Sequence, residues 1–161
     1  MDFDKQAVKF AADRMLGKLA KWLRIMGQDV IYGRHLTGSG LIHAARLDGR
    51  LILTRDRRLK QKQPPDFILV ESDRCCEQLR QVVNACGLDP LALAFTRCLV
   101  CNAVLEPRAK DTVEARVPPY VFSTQERFFA CPRCNRLYWP ATHHERMLEE
   151  LRRLTPLETR N

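Results

Sequence analysis

The sequence predicts an α/β fold, a mostly parallel sheet flanked by helices, followed by a small cysteine-bearing module and a C-terminal helix. Three observations predict it. Short apolar runs alternate with helical patterns up to about residue 90, as expected of parallel strands buried on both faces and joined by helices. From about residue 96 the alternation gives way to two Cys-x2-Cys pairs, a proline pair (Pro118, Pro119) and scattered aromatics. A polar segment with helical spacing follows. The expected units are residues 1–90, 96–141 and 142–156.

Each element has its own signal. VKFAAD (8–13) reads as the first strand and RMLGKLAKWLRIMG (14–27) as a helix. In that helix Met15, Leu16, Leu19, Ala20, Leu23 and Met26 recur at helical spacing, and Gly27 supplies a stop. DVIY (29–32) is the second strand and LIHAARLDG (41–49) the second helix; LILT (51–54) is the third strand, with a short basic helix to about Gln63. FILV (67–70) is the fourth strand, and CCEQLRQVVNACG (75–87) a helix ended by glycine. The cysteine-bearing module reads as β-rich, and HHERMLEELRRL (143–154) as a helix ending near Pro156.

The net charge is +8, and its distribution is uneven. Residues 1–62 carry 14 Lys/Arg against 6 Asp/Glu, while the remainder carries 13 of each. An excess confined to one part suits a polyanion, because Lys and Arg contacts to phosphates release counterions and dominate affinity. The competing reading is a generic basic surface that aids solubility. No stretch approaches the roughly eighteen continuous apolar residues of a membrane span, and MDFDKQAVKF lacks the apolar core of a secretory signal. The expectation is a soluble, cytoplasmic protein.

Seven cysteines are an odd number, which fits poorly with a fully disulfide-paired domain. Cys98 and Cys101 form one tight pair, Cys131 and Cys134 another. Two such knuckles give Zn²⁺ a closed tetrahedral shell of four thiolates, whose task is to fold a module with little core of its own. The alternatives are two disulfides or a redox pair, but a redox motif should open a helix after a strand of the α/β part. Cys75, Cys76 and Cys86 read as inert, partly buried thiols. Arg97, Arg133, Arg136, Tyr138 and Trp139 could contact nucleic acid, with packing beside the zinc as the rival role for the aromatics. His143 and His144 read as structural.

In an open parallel sheet, ligands bind outside the carboxyl ends of the strands. Asp13, Asp56 and Asp73 each follow a predicted strand. Carboxylates gathered at one edge repel unless a cation neutralises them, and such oxygens suit Mg²⁺ or Mn²⁺. Singly, each could instead be a helix N-cap. Arg14, Lys18, Lys21 and Arg24 share one face of the first helix with no acidic partner at helical spacing. That face is either solvated or a track for phosphates, with Arg55, Arg57 and Arg58 adding charge around Asp56.

ADRMLGKLAKWLRIMG, the LILTRD strand end, CLVCN, CPRCNRLYWP and HHERM together resemble the Mut-seven C-terminal RNase domain family across about residues 8–148. The resemblance implies a PIN-like nuclease fold joined to a zinc ribbon, and RNA hydrolysis with Mg²⁺ or Mn²⁺. On matching positions it implies Asp13 and Asp56 as metal ligands, and Asp73 with them. One segment departs from the family: HLTGSGLIHAA has Gly38, Ser39 and Gly40 where the family carries acids. The expected function is a metal-dependent ribonuclease, an endonuclease acting on RNA. Its alternative is a non-catalytic RNA-binding or ribosome-associated adaptor with a degenerate site. An oxidoreductase is a third reading, but ADRMLGK lacks the Gly-rich turn of a dinucleotide site.

Overall fold

The computed structural model describes residues 8–155. The expectations placed on residues 1–7 and on Pro156 lie outside the described residues. The first sheet has four strands, β1 (Lys9–Ala12), β2 (Asp29–Tyr32), β3 (Leu51–Thr54) and β4 (Phe67–Leu69), in the order β2-β1-β3-β4. All neighbours are parallel. Alternation along each strand supplies two apolar faces. Phe10, Ala12, Val30 and Leu53 pack with helices α1 (Gly17–Ile25), α3 (Cys75–Cys86) and α5 (Thr142–Leu154). Ala11 and Ile52 turn the other way, toward Leu41, Ile42 and Ala45 of α2 (Gly38–Leu47).

β2 and β3 have the bounds expected from their apolar runs. The first helix does not run uniformly from residue 14: Arg14–Leu16 is a 3-10 turn capped by Asp13, and the α-helix starts at Gly17. The Tyr32 hydroxyl lies 2.7 Å from where a Cβ at Gly17 would sit, so any larger residue there would push the tyrosine tip aside. Gly27 ends the segment at φ +79°, where a Cβ would also collide with the Leu93 carbonyl. α2 begins three residues before its apolar pattern, because Gly38, Ser39 and Gly40 form its first turn. The short basic helix expected up to about Gln63 is a 3-10 helix over Arg57–Lys62, with Gln63 as its C-cap.

A second, antiparallel sheet has strands β5 (Glu106–Arg108), β6 (Phe128–Ala130) and β7 (Leu137–Tyr138) in sequence order. Between β5 and β6 lies a short helix, α4 (Pro119–Thr124), that the sequence reading did not foresee. Val113, Val117 and Phe128 form a small core there, and α5 buries Leu151 and Leu154 back in the core of the first sheet.

The module is tied to the outer edge of β2. Asn102 Oδ1 accepts from Val30 N at 3.1 Å, and its Nδ2 donates to Asp29 Oδ1 at 2.7 Å. Arg97 Nε donates to the Gly27 carbonyl, and Phe95 N to that of Ile25. An exposed edge strand is open to further pairing; here side chains and loop backbone occupy it.

Candidate functional site

The chain runs from β1 to β2 on one side and crosses to β3 on the other, so the crevice of a topological switch point lies between the carboxyl ends of β1 and β3. Asp13 and Asp56 follow those two ends. Asp13 is buried at 6% exposure. Its Oδ2 accepts from the Thr54 hydroxyl at 2.9 Å and its Oδ1 from Met15 N at 3.3 Å. Thr54 Oγ1 in turn accepts from Asp56 N at 3.0 Å, so a fully buried hydroxyl links the two aspartates. Asp56 Oδ1 accepts from Arg58 N at 2.9 Å and from Arg58 Nε at 3.1 Å. The Arg58 guanidinium, with the Arg58 N–H, holds the Asp56 carboxyl below the usual carboxylate range. Both aspartates therefore cap 3-10 turns, and each carboxylate keeps acceptor sites beyond those caps. Thr54 carried a signal, a hydroxyl two residues before Asp56, that the sequence reading left without a role.

Asp73 stands apart: it is exposed and lies beyond β4, before α3. Among the described residues, only the four cysteines form a group of three or more side chains able to hold a metal, and the three aspartates form none. The first turn of α2, which follows Thr37, contains Ser39 and no acid. Asp29 and Asp48 belong to the opposite edge, where both pair with Arg50.

Arg14, Lys18, Lys21, Arg57 and Arg58 are exposed, and Arg55 is half-buried. Arg24 corrects the expected cationic face. It is 7% exposed and acts as a clamp: Nε and Nη2 donate to the Val30 carbonyl at 3.1 and 2.8 Å, and Nη1 to those of Leu99 and Val100 at 3.0 and 3.1 Å. Its burial lowers its pKa. Arg97 is engaged likewise, on Gly27 and Asn102. His144 stacks against Phe95 with ring centroids 4.0 Å apart.

The two Cys-x2-Cys knuckles converge. All four Sγ atoms of Cys98, Cys101, Cys131 and Cys134 lie within 4.8 Å of one another. Cys98 and Cys134 are 3.6 Å apart, Cys101 and Cys131 3.2 Å. A tetrahedron with Zn–S of about 2.3 Å sets its sulfurs about 3.8 Å apart, so the group fits a four-thiolate ion. Burial opposes ionisation of Cys98, but the Tyr138 hydroxyl and the Cys101 and Val100 N–H groups outweigh it and bring the thiol down to about 6. Cys101 is pushed up to about 12 by burial and by its cysteine neighbours. Such thiols need a cation to ionise together. Cys75 and Cys86 are half-buried and raised by burial, whereas Cys76 is exposed.

Fold and site define an α/β protein with a parallel sheet, carboxylates at its switch point and an attached four-cysteine metal module. Among the described residues, no helix is long and apolar enough to cross a membrane. Residues 8–151 match the Mut7-C RNAse domain, and the chain belongs to that family. Membership points to a nuclease-like role. No curated protein and no solved structure matches the chain.

Proposed function

We propose that the protein is a metal-dependent ribonuclease, cutting RNA internally at the β1–β3 switch point with Mg²⁺ or Mn²⁺ held by Asp13 and Asp56, while Asp73, apart from them beyond β4, would reach the ion only through water. The observation that carries this reading is the Asp13–Thr54–Asp56 linkage in a chain of this family. Thr54 and the Met15 N–H fix the Asp13 carboxylate, and Arg58 keeps Asp56 ionised. The Arg58–Asp56 pair is solvent-exposed, with Arg58 84% accessible, so the guanidinium is free to swing from carboxylate to phosphate. Arg14, Lys18, Lys21, Arg55 and Arg57 would hold the RNA backbone, chiefly through charge. The bound ion would polarise the phosphodiester and lower the pKa of an attacking water.

In this account Zn²⁺ is structural and sits on Cys98, Cys101, Cys131 and Cys134, which have no open position for chemistry. Within the described residues, the units would be an α/β nuclease domain up to about residue 90, a zinc ribbon over 96–141 and the terminal helix α5. Free thiols in number fit a reducing compartment, the cytoplasm. A second reading, an RNA-binding adaptor without catalysis, draws on the acid-free turn Gly38–Gly40 and on the separation of Asp73 from the other two aspartates.

A circular single-stranded RNA incubated with zinc-loaded protein separates the readings. Linearisation in Mn²⁺ or Mg²⁺, but not in Ca²⁺, supports the endonuclease. Binding without linearisation in either metal supports the adaptor.

A further inference from the structure

The inward turn of Arg24 has a consequence for the residues beside it. By gripping Leu99 O and Val100 O, Arg24 draws the first cysteine knuckle against the end of α1. Lys21, three residues earlier and exposed, then lines a cleft of about 660 Å³ shared by α1 and the knuckles. Arg116, Arg136, Tyr138 and Trp139 line it too, and none of its lining residues is acidic. Arg116 donates to the Asn135 carbonyl, which fixes the guanidinium beside the second knuckle. Val100, 55% exposed, adds an apolar surface, and Trp139 is held by Phe128 with ring centroids 6.3 Å apart. The Tyr138 hydroxyl is tied to Cys98 and Leu99, and Trp139, half-buried against the core of Val113, Val117 and Phe128, also lines the cleft and is the aromatic assigned to a base.

We propose that this cleft is a second nucleic-acid contact, taking single-stranded RNA by its phosphates on Lys21, Arg116 and Arg136 and by stacking on Trp139. The proposal rests on the ribonuclease reading for the identity of the polyanion. Charge alone would also admit an acidic peptide, but a held aromatic beside three cations is the arrangement that grips single strands without sequence preference. The exposed residues Arg14, Lys18 and Lys21 join the cleft to Asp13. Arg14 and Lys21 are seven residues apart, about 10 Å along the helix, or about three nucleotides at the 3.4 Å spacing of a stacked strand. The metal-bound ribbon thus anchors RNA a few nucleotides from the cutting edge.

The test uses zinc-loaded full-length protein with a fluorescein-labelled uridine decamer, in Ca²⁺ so that binding is read apart from cleavage. Arg116→Gln with Arg136→Gln should weaken binding about tenfold or more. The salt dependence should become shallower by about 1.4, at about 0.7 for each lost contact to a single strand. Arg80→Gln with Arg152→Gln, which removes the same charge from α3 and α5, should leave affinity unchanged. RNA should quench tryptophan emission in the wild type and not in Trp139→Phe. Equal binding by the Arg116/Arg136 variant overturns the cleft, whatever the cleavage assay shows. So does a glutamate decamer that competes as well as RNA, which would make the cleft a dock for acidic peptides. Absence of cleavage by the wild type counts against the ribonuclease alone, since binding at the cleft is read independently.

Discussion

Replacing Arg24 by methionine should destabilise the protein by about 2–4 kcal/mol, although the same position reads in the sequence as one more cation on a basic helix face. Methionine keeps the apolar stem and removes every donor. The Val30 carbonyl, which receives two of the four hydrogen bonds, is left unpaired in a buried place, at about 1–3 kcal/mol. The carbonyls of Leu99 and Val100 are only partly buried and lose about 1 kcal/mol each. Relief from burying a guanidinium, visible in its lowered pKa, offsets part of the total. The assay is urea unfolding at a fixed excess of Zn²⁺, since bound metal itself shifts apparent stability. With a slope of about 2 kcal/mol/M the midpoint should fall by about 1–2 M. Lys21→Met, on the exposed side of the same helix, should stay within about 0.5 kcal/mol. If Arg24→Met is as mild as Lys21→Met yet weakens RNA binding, Arg24 is a phosphate contact and the clamp argument is wrong.

Thr54→Val should cost about 1–3 kcal/mol by leaving the Asp13 carboxylate and the Asp56 N–H short of a partner. It should also slow RNA cleavage by about tenfold to a hundredfold through misplacement of the two carboxylates, and Thr54→Ser should restore both readouts. Metal analysis should find one Zn²⁺ per chain, and Cys131→Ser should reduce that toward zero with loss of near-ultraviolet circular dichroism from the ribbon. For Asp29, burial raises the pKa, but hydrogen bonds from Arg50 and Asn102 outweigh it and the folded value lies below 3.8. Its contribution is therefore present above the unfolded value and lost as pH falls through the folded one. Asp29→Asn should flatten the acid limb of a stability-versus-pH curve below about pH 4, and an unchanged acid limb would show that Asp29 does not carry the link to the ribbon.

What the sequence revealed follows from how local each signal is. β2 and β3 are apolar runs bounded by glycine or charge, and they were legible to the residue. The metal group was legible because each knuckle closes within four residues, leaving only the pairing of the knuckles to tertiary structure. α4 was not: its six residues are too few for a helical period, and Pro118 and Pro119 look like a loop until Pro119 is seen in the first turn, where its missing N–H costs nothing. Arg24 was misread because periodicity places it with Lys21, while its partners are the Val30 carbonyl on the next strand and two carbonyls 75 and 76 residues away on the knuckle. Strand-end aspartates were legible as a set, but their separation depends on loop lengths. Asp13 and Asp56 follow adjacent strands closely enough to share Thr54, whereas Asp73 sits in a bend four residues beyond β4.

On the proposed mechanism, Asp13 holds the catalytic ion at the switch point. The most direct test of that role measures cleavage of saturating single-stranded RNA in Mn²⁺ by the wild type and by Asp13→Asn, with affinity for the same RNA measured in Ca²⁺. The wild type should cleave, and the variant should lose about a hundredfold or more in rate at unchanged affinity. Equal cleavage by both proteins, or none by the wild type in Mn²⁺ or Mg²⁺ while RNA still binds, would contradict that mechanism.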